Sequence, residues 1–192
     1  QSAVNLLRSI TNKVIEQQSE SMNILSKIEN KLKDEHIYFI NEKQVLKDHE
    51  SFLKEYFIQN VSPALMTIMI NEEEAQDFSD NLAFLVVKLN LKTSDKNNTQ
   101  FALIELPKDL ERFIVLPEIN NKQYIMFLDD LIRYHFHIIF NFLDFKSIDS
   151  HMIKVTRDAE LDMEGDVSKS YINKIIESVK ERVTLIICES IL

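Results

Sequence analysis

Residues 82–107 read LAFLVVKLNLKTSDKNNTQFALIELP, and this stretch decides the fold class. Leu82 to Leu91 is a run rich in Val, Leu and Phe, the composition of a β-strand. The polar segment Thr93 to Thr99 reads as a hairpin loop. Phe101 to Leu106 returns as a second strand, stopped by Pro107, which has no N–H to give to a ladder. Arg112 to Leu116 predicts another strand, ended by Pro117. Asn120-Asn121 marks a turn before a strand at Tyr124 to Phe127, and Ser150 to Leu161 predicts a strand with imperfect alternation. His36 to Ile40 is a short β-type stretch that Asn41 breaks, and Leu185 to Ile187 would form a last strand.

Helical periodicity surrounds these strands. Residues 3–34 contain no Pro or Gly and place Val4, Leu7, Val14, Leu25, Ile28 and Leu32 at helical spacing. They predict one helix of about 30 residues, roughly 45 Å long at 1.5 Å per residue. Polar Thr11, Gln18 and Ser21 interrupt its seam. So long an apolar stripe either pairs with another chain or belonged to a helical bundle, and the second reading is preferred. Residues 48–61 predict a helix with Phe52, Tyr56 and Phe57 on one face and Pro63 past its end. Residues 128–141 predict another, through Leu128, Leu131, Ile132, Phe136 and Ile139. Asp166 can cap a final helix with Tyr171, Ile172, Ile175, Ile176 and Val179 as its buried stripe. The expected class is α+β, a long N-terminal helix followed by a mixed, mostly antiparallel sheet with packed helices.

Composition narrows the function. With 22 Lys and Arg against 31 Asp and Glu the net charge is −9, a sign that repels nucleic-acid backbones. Gly165 is the single glycine, so no glycine-rich phosphate loop of the Walker or dinucleotide type can form. The lone Cys188 cannot close an internal disulfide and reads as a small buried hydrophobe. No apolar run reaches the roughly 20 residues that cross a bilayer, and no signal peptide opens the chain. The expectation is a cytoplasmic protein with no transmembrane segment.

Few residues point to chemistry. Glu72, Glu73, Glu74, Asp77 and Asp80 crowd one short stretch without a glycine turn, and read as solvated surface rather than a calcium loop. His135 and His137, two apart on a predicted helix, would face nearly opposite sides and share no metal. His36, His49 and His151 have no sequence-local acid or nucleophile partner. Asp129 and Asp130 open a helix, where they complement the positive end of its dipole. Within Thr156-Arg157-Asp158, arginine and aspartate sit in an otherwise apolar strand on opposite faces, so each needs its own partner if buried. Arg157 reads first as a structural ion-pair residue and second as an anion binder, whose planar fork suits phosphate.

Five segments, in order, resemble the long, histidine-phosphorylating bacterial polyphosphate kinases. They are Ile40-Asn41-Glu42-Lys43-Gln44, residues 101–107 (FALIELP), Arg112-Phe113 with Leu116-Pro117, residues 128–133 (LDDLIR), and residues 155–162 (VTRDAELD). The last is similar to the family's T-R-D-A-E/D signature in the head domain, carried by Thr156, Arg157, Asp158 and Glu160. The resemblance covers roughly residues 1–184. It implies residues 1–35 as the last helix of an N-terminal helical domain and 36–192 as an α+β head domain, with 185–192 a divergent tail. It implies a parent kinase and transferase that moves the terminal phosphoryl group of ATP reversibly onto polyphosphate with Mg²⁺, through a phosphohistidine on the C-terminal half. No catalytic, nucleotide-binding or metal residue carries over to this chain, and no cofactor is expected in it. The signature residues are expected to be structural. The implied partners are a second copy, met through the long helix and head domain, and the missing catalytic domains. A free-standing interaction adaptor using the long helix is the alternative reading, and a polyphosphate-binding module a third that the charge of −9 disfavours.

Overall fold

The computed structural model describes residues 3–70, 82–92 and 98–155. The sequence-predicted final helix, the last strand, Gly165, Cys188, the 93–97 loop tip and the acidic patch of residues 72–80 lie outside the described residues. The architecture is α+β.

Helix α1 (Ala3–Asp34) is continuous, as its lack of Gly and Pro requires. Lys31 and Lys33 in its last turn complement the negative end of the dipole. It buries no residue, and Val4, Leu7, Ile10 and Met22 are all more than half exposed. Only Val14, Leu25, Glu29 and Leu32 are partly covered. The helix stops at Glu35 and His36. His36 adopts a left-handed φ of 63°, and its N–H bonds the Lys33 carbonyl at 3.0 Å.

The described strands form two sheets rather than one. The three-stranded sheet has the order β1 (Ile37–Ile40), β6 (Lys122–Phe127), β5 (Phe113–Ile119), with β1 parallel and β5 antiparallel to β6. The four-stranded sheet is antiparallel in the order β2 (Met66–Met69), β4 (Thr99–Glu105), β3 (Leu82–Leu91), β7 (Phe145–Val155). β3 is one of the two inner strands and is apolar on both faces. Leu85, Val87 and Leu89 enter the main core, while Leu82, Phe84 and Val86 join Phe101 and Leu103 in a second cluster.

The main core lies between the inner faces of the two sheets. It is filled by Leu53 of α2 (Glu50–Tyr56), by Phe57 and Val61 of the wider turn that follows, and by Leu128, Leu131 and Ile132 of α3 (Leu128–Tyr134). Phe136 of α4 (Phe136–Ile139) and Phe140 complete it. Each such fully buried side chain contributes about 1.5–3 kcal/mol relative to exposure. The opposite face of the three-stranded sheet is also apolar. Register puts Phe39, Ile125 and Val115 in one row and Phe127 beside Phe113 in the next. The rings of Phe39, Phe113 and Phe127 touch with centroids 5.1–6.2 Å apart, yet Phe113 and Val115 remain largely exposed.

Four expectations need correction. The strand at Phe113 does not end at Pro117. It bulges between Leu116 and Ile119 and continues, because β5 is an edge strand where a missing N–H is tolerated. Residues 128–141 are two short helices, since the backbone turns out of helical geometry at His135 (φ −101°, ψ 16°). β7 starts at Phe145, not Ser150, and β2 was not anticipated. Asn120-Asn121 does form a turn. Both residues have positive φ, 53° and 57°, and Ile119 pairs with Lys122, the geometry of a two-residue type I′ hairpin.

Candidate functional site

The most polar constellation within the described core sits where β6 runs into α3. Phe127 is extended, and Leu128 begins the helix with Asp129 and Asp130 in its first turn. Arg133 follows one turn later, on the same face. Its Nη1 donates to Asp129 Oδ2 at 2.6 Å and to Asp130 Oδ1 at 2.9 Å, and its Nε donates to the Ser150 hydroxyl on β7 at 3.2 Å. All three charged side chains are below one-fifth exposed. The aspartates therefore do more than complement the dipole, as they also tie α3 to the long sheet through Arg133.

Glu42, two residues beyond β1, adds a smaller raising influence on the Asp130 carboxyl. Burial first, and the neighbouring Asp129 charge second, push the Asp130 carboxyl up to about 7, with Arg133 pulling it down. Glu42 carries no signal as a site residue in the sequence. Its partner is reached only through the parallel β1–β6 pairing, which no local pattern encodes. The Asp129–Arg133 spacing of four, by contrast, is a readable ion-pair pattern.

The histidines take separate places. His135 is buried, with its ring stacked on Phe57 at 4.3 Å and 7°, and its Nδ1–H bonds the Leu131 carbonyl at 2.9 Å. Burial lowers its basicity, and that hydrogen bond partly opposes the shift. His137 does not face away from it. The helix break at His135 brings the two rings to 5.9 Å, though the Nδ1–H of His137 is spent on the Tyr134 carbonyl at 3.1 Å. His49 is fully buried against Tyr124, and its Nε2–H bonds the Pro117 carbonyl at 2.9 Å. His36 and His151 are exposed. Among the described residues no cluster of three or more His, Cys, Asp or Glu could hold a metal ion. No helix among them is long and apolar enough to cross a membrane. Thr156, Arg157, Asp158 and Glu160 lie outside the described residues, in the chain that follows β7.

Comparison with known proteins places this architecture. A family model for the polyphosphate kinase middle domain matches residues 48–187. The polyphosphate kinase of Vibrio vulnificus is 32% identical over 155 residues, 78% of this chain and 22% of that protein. The polyphosphate kinase of Yersinia pestis is 27% identical over 186 residues, 94% of this chain and 26% of its own length. A crystal structure of polyphosphate kinase from Porphyromonas gingivalis superposes with a TM-score of 0.74 at 25% identity, over 92% of this chain and 29% of that one. The chain thus spans about a quarter of the length of the curated relatives it matches.

Proposed function

The chain belongs to the polyphosphate kinase family, through that family's middle domain, and on this premise we propose that it is a non-catalytic support and dimerisation segment of such a kinase. Residues 1–35 are read as the last helix of a preceding helical domain and 36–192 as the head domain, with 185–192 a divergent tail. The parent activity is reversible transfer of the ATP γ-phosphoryl group to polyphosphate, with Mg²⁺, in the cytoplasm. Positioning and electrostatics dominate that chemistry, so rigid support is a useful contribution. Thr156, Arg157, Asp158 and Glu160 act structurally in this reading.

The observation that carries the proposal is a pair of apolar surfaces that stay partly or fully exposed among the described residues. One is the stripe of α1, and the other is the Phe39–Phe113–Phe127 face of the short sheet. Contiguous apolar surface of this kind marks a contact site. Two measurements test the reading. Incubated with labelled ATP and Mg²⁺, the 192-residue chain should acquire no acid-labile, protein-bound phosphate. In sedimentation equilibrium it should associate as a dimer that Ile10→Asp and Phe113→Asp each weaken at least tenfold. Phosphohistidine on the chain, or a monomer at high concentration, refutes it.

A further inference from the structure

Strand β3 serves two layers. Leu85, Val87 and Leu89 point into the main core, while Leu82, Phe84 and Val86 point to the opposite face of the four-stranded sheet. Phe101 and Leu103 of β4 share that second face, Leu103 standing opposite Val86 in the register. Each of these five is at most 6% exposed. Among the described residues, the partly buried hydrophobics packed against them are Ile70, just past β2, and Ile153 of β7. All seven belong to the sheet or its margin. α2, α3 and α4 fill the main core on the other side, and α1 buries no residue. Side chains stand roughly perpendicular to a sheet, so a face becomes dry only under a second layer. The cover therefore comes from chain beyond the described residues.

Beyond Gln1 and Ser2, three stretches could supply it. Residues 93–97 (TSDKN) are polar throughout. Residues 71–81 (NEEEAQDFSDN) carry five carboxylates and no cation, with Ala75 and Phe78 as their apolar side chains. Laying that stretch on an apolar face would strip water from its charges. Residues 156–192 contain Tyr171, Ile172, Ile175, Ile176 and Val179, the spacing of one helical stripe. This stretch begins directly after Val155, which pairs with Leu82 at one end of the same sheet. The residues between, 156–170, reach about 50 Å at full extension. From Tyr171 to Val179 a helix rises about 12 Å, close to the roughly 14 Å between the outer strands of a four-stranded sheet.

We propose that the second face of the four-stranded sheet is the seat of the 171–179 stripe of the same chain. Lys88 and Asp149 stand opposite each other at one margin of that face, so charge bounds its apolar centre there. The family signature, Thr156, Arg157, Asp158 and Glu160, lies between β7 and the stripe. Seating the stripe anchors the signature from both sides and gives its structural role a physical means, a step that rests on the family reading given above. The contact itself does not.

Carbon-13 NOESY on the methyl-labelled 192-residue chain tests the contact. NOEs are expected from the methyls of Val86, Leu103 and Ile153 to those of Ile172, Ile175, Ile176 or Val179. In the double variant Ile175→Asp, Ile176→Asp they should vanish, and anilinonaphthalene sulfonate fluorescence should rise several-fold as the face opens. NOEs within the main core should persist. If that variant fails to fold, the wild-type NOEs decide alone. NOEs running instead to Ala75 or Phe78 overturn the proposal in favour of the 71–81 stretch. NOEs found only between differently labelled chains in a mixed sample make the occupant a second copy and overturn it equally, while leaving the kinase-domain reading intact. Unchanged dye binding in a folded double variant overturns it too.

Discussion

The imidazole of His49 meets the carbonyl oxygen of Pro117 at 2.9 Å, across 68 residues of chain. A carbonyl can only accept, so Nε2 carries the proton, and Nδ1 is left as a buried acceptor with no partner among the described residues. Gln123 Nε2 supplies the neighbouring Leu116 carbonyl with a donor at 2.7 Å. Two side chains thus serve carbonyls beside the bulge that Pro117 imposes, which explains how β5 continues past a proline.

Replacing His49 by Ala removes that donor and leaves a cavity against Tyr124. The expected loss is about 2–3 kcal/mol, from one hydrogen bond plus incomplete collapse of the site. Urea unfolding measures it, and nitrogen-15 NMR of the wild-type ring should show the Nε2–H tautomer. A midpoint unchanged by the substitution would mean that the bulge holds itself.

Arg133→Ala leaves Asp129 and Asp130 facing each other with no cation between them. A fully buried broken pair typically costs about 3–5 kcal/mol, and these side chains keep some exposure, so about 2–3 kcal/mol is expected. Arg133→Lys should recover only part of it, because an ammonium cannot span both aspartates and Ser150 in one plane.

His135 and Asp130 predict opposite pH limbs. Burial depresses His135 below its ordinary 6.5, so the unfolded chain binds the proton more readily, and stability falls as pH drops below that value. Asp130 is raised from 3.8 to about 7, so its folded form holds the proton, and stability is lost as pH rises through that interval. Thermal midpoints across pH 5–8 check both. His135→Phe, which keeps an aromatic ring over Phe57, should flatten the acid limb alone.

Asn121→Val tests the hairpin between β5 and β6. A β-branched residue forced to φ near 57° costs about 1–2 kcal/mol, whereas Asn121→Gly should stay within about 0.5 kcal/mol of the parent. Thermal melts distinguish them. Equal melts would mean that the turn is not held in this geometry in solution.

Legibility in the sequence followed the range of the interactions involved. α1 was readable because a breaker-free helical pattern is a local property, and β3 and β4 because their apolar runs are dense enough for a strand buried on both sides. The break at His135 was not, since it depends on Phe57, far away in sequence, offering a ring to stack upon. Strand continuation through Pro117 depended on His49 and Gln123. β2 is four residues long, two of them exposed, and Lys146, Ser147 and Asp149 gave the start of β7 a polar look. In the acid cluster, Asp129, Asp130 and Arg133 were readable as neighbours on a helix, while Glu42 entered only through strand pairing.

The connection at Glu35 and His36 has a mechanical consequence. α1 is a rod about 48 Å long at 1.5 Å per residue, clamped at one end where it passes into β1. A rotation of about 5° at that clamp sweeps the Ala3 end through about 4 Å, enough to misalign a docked surface by a whole side chain. His36 sits in the narrow left-handed well, at φ 63°, where a side chain restricts the backbone and a glycine would not. The φ of His36 is therefore one of the angles that set where the rod points. His36→Gly would leave both the rod and the domain folded while loosening the aim that joins them.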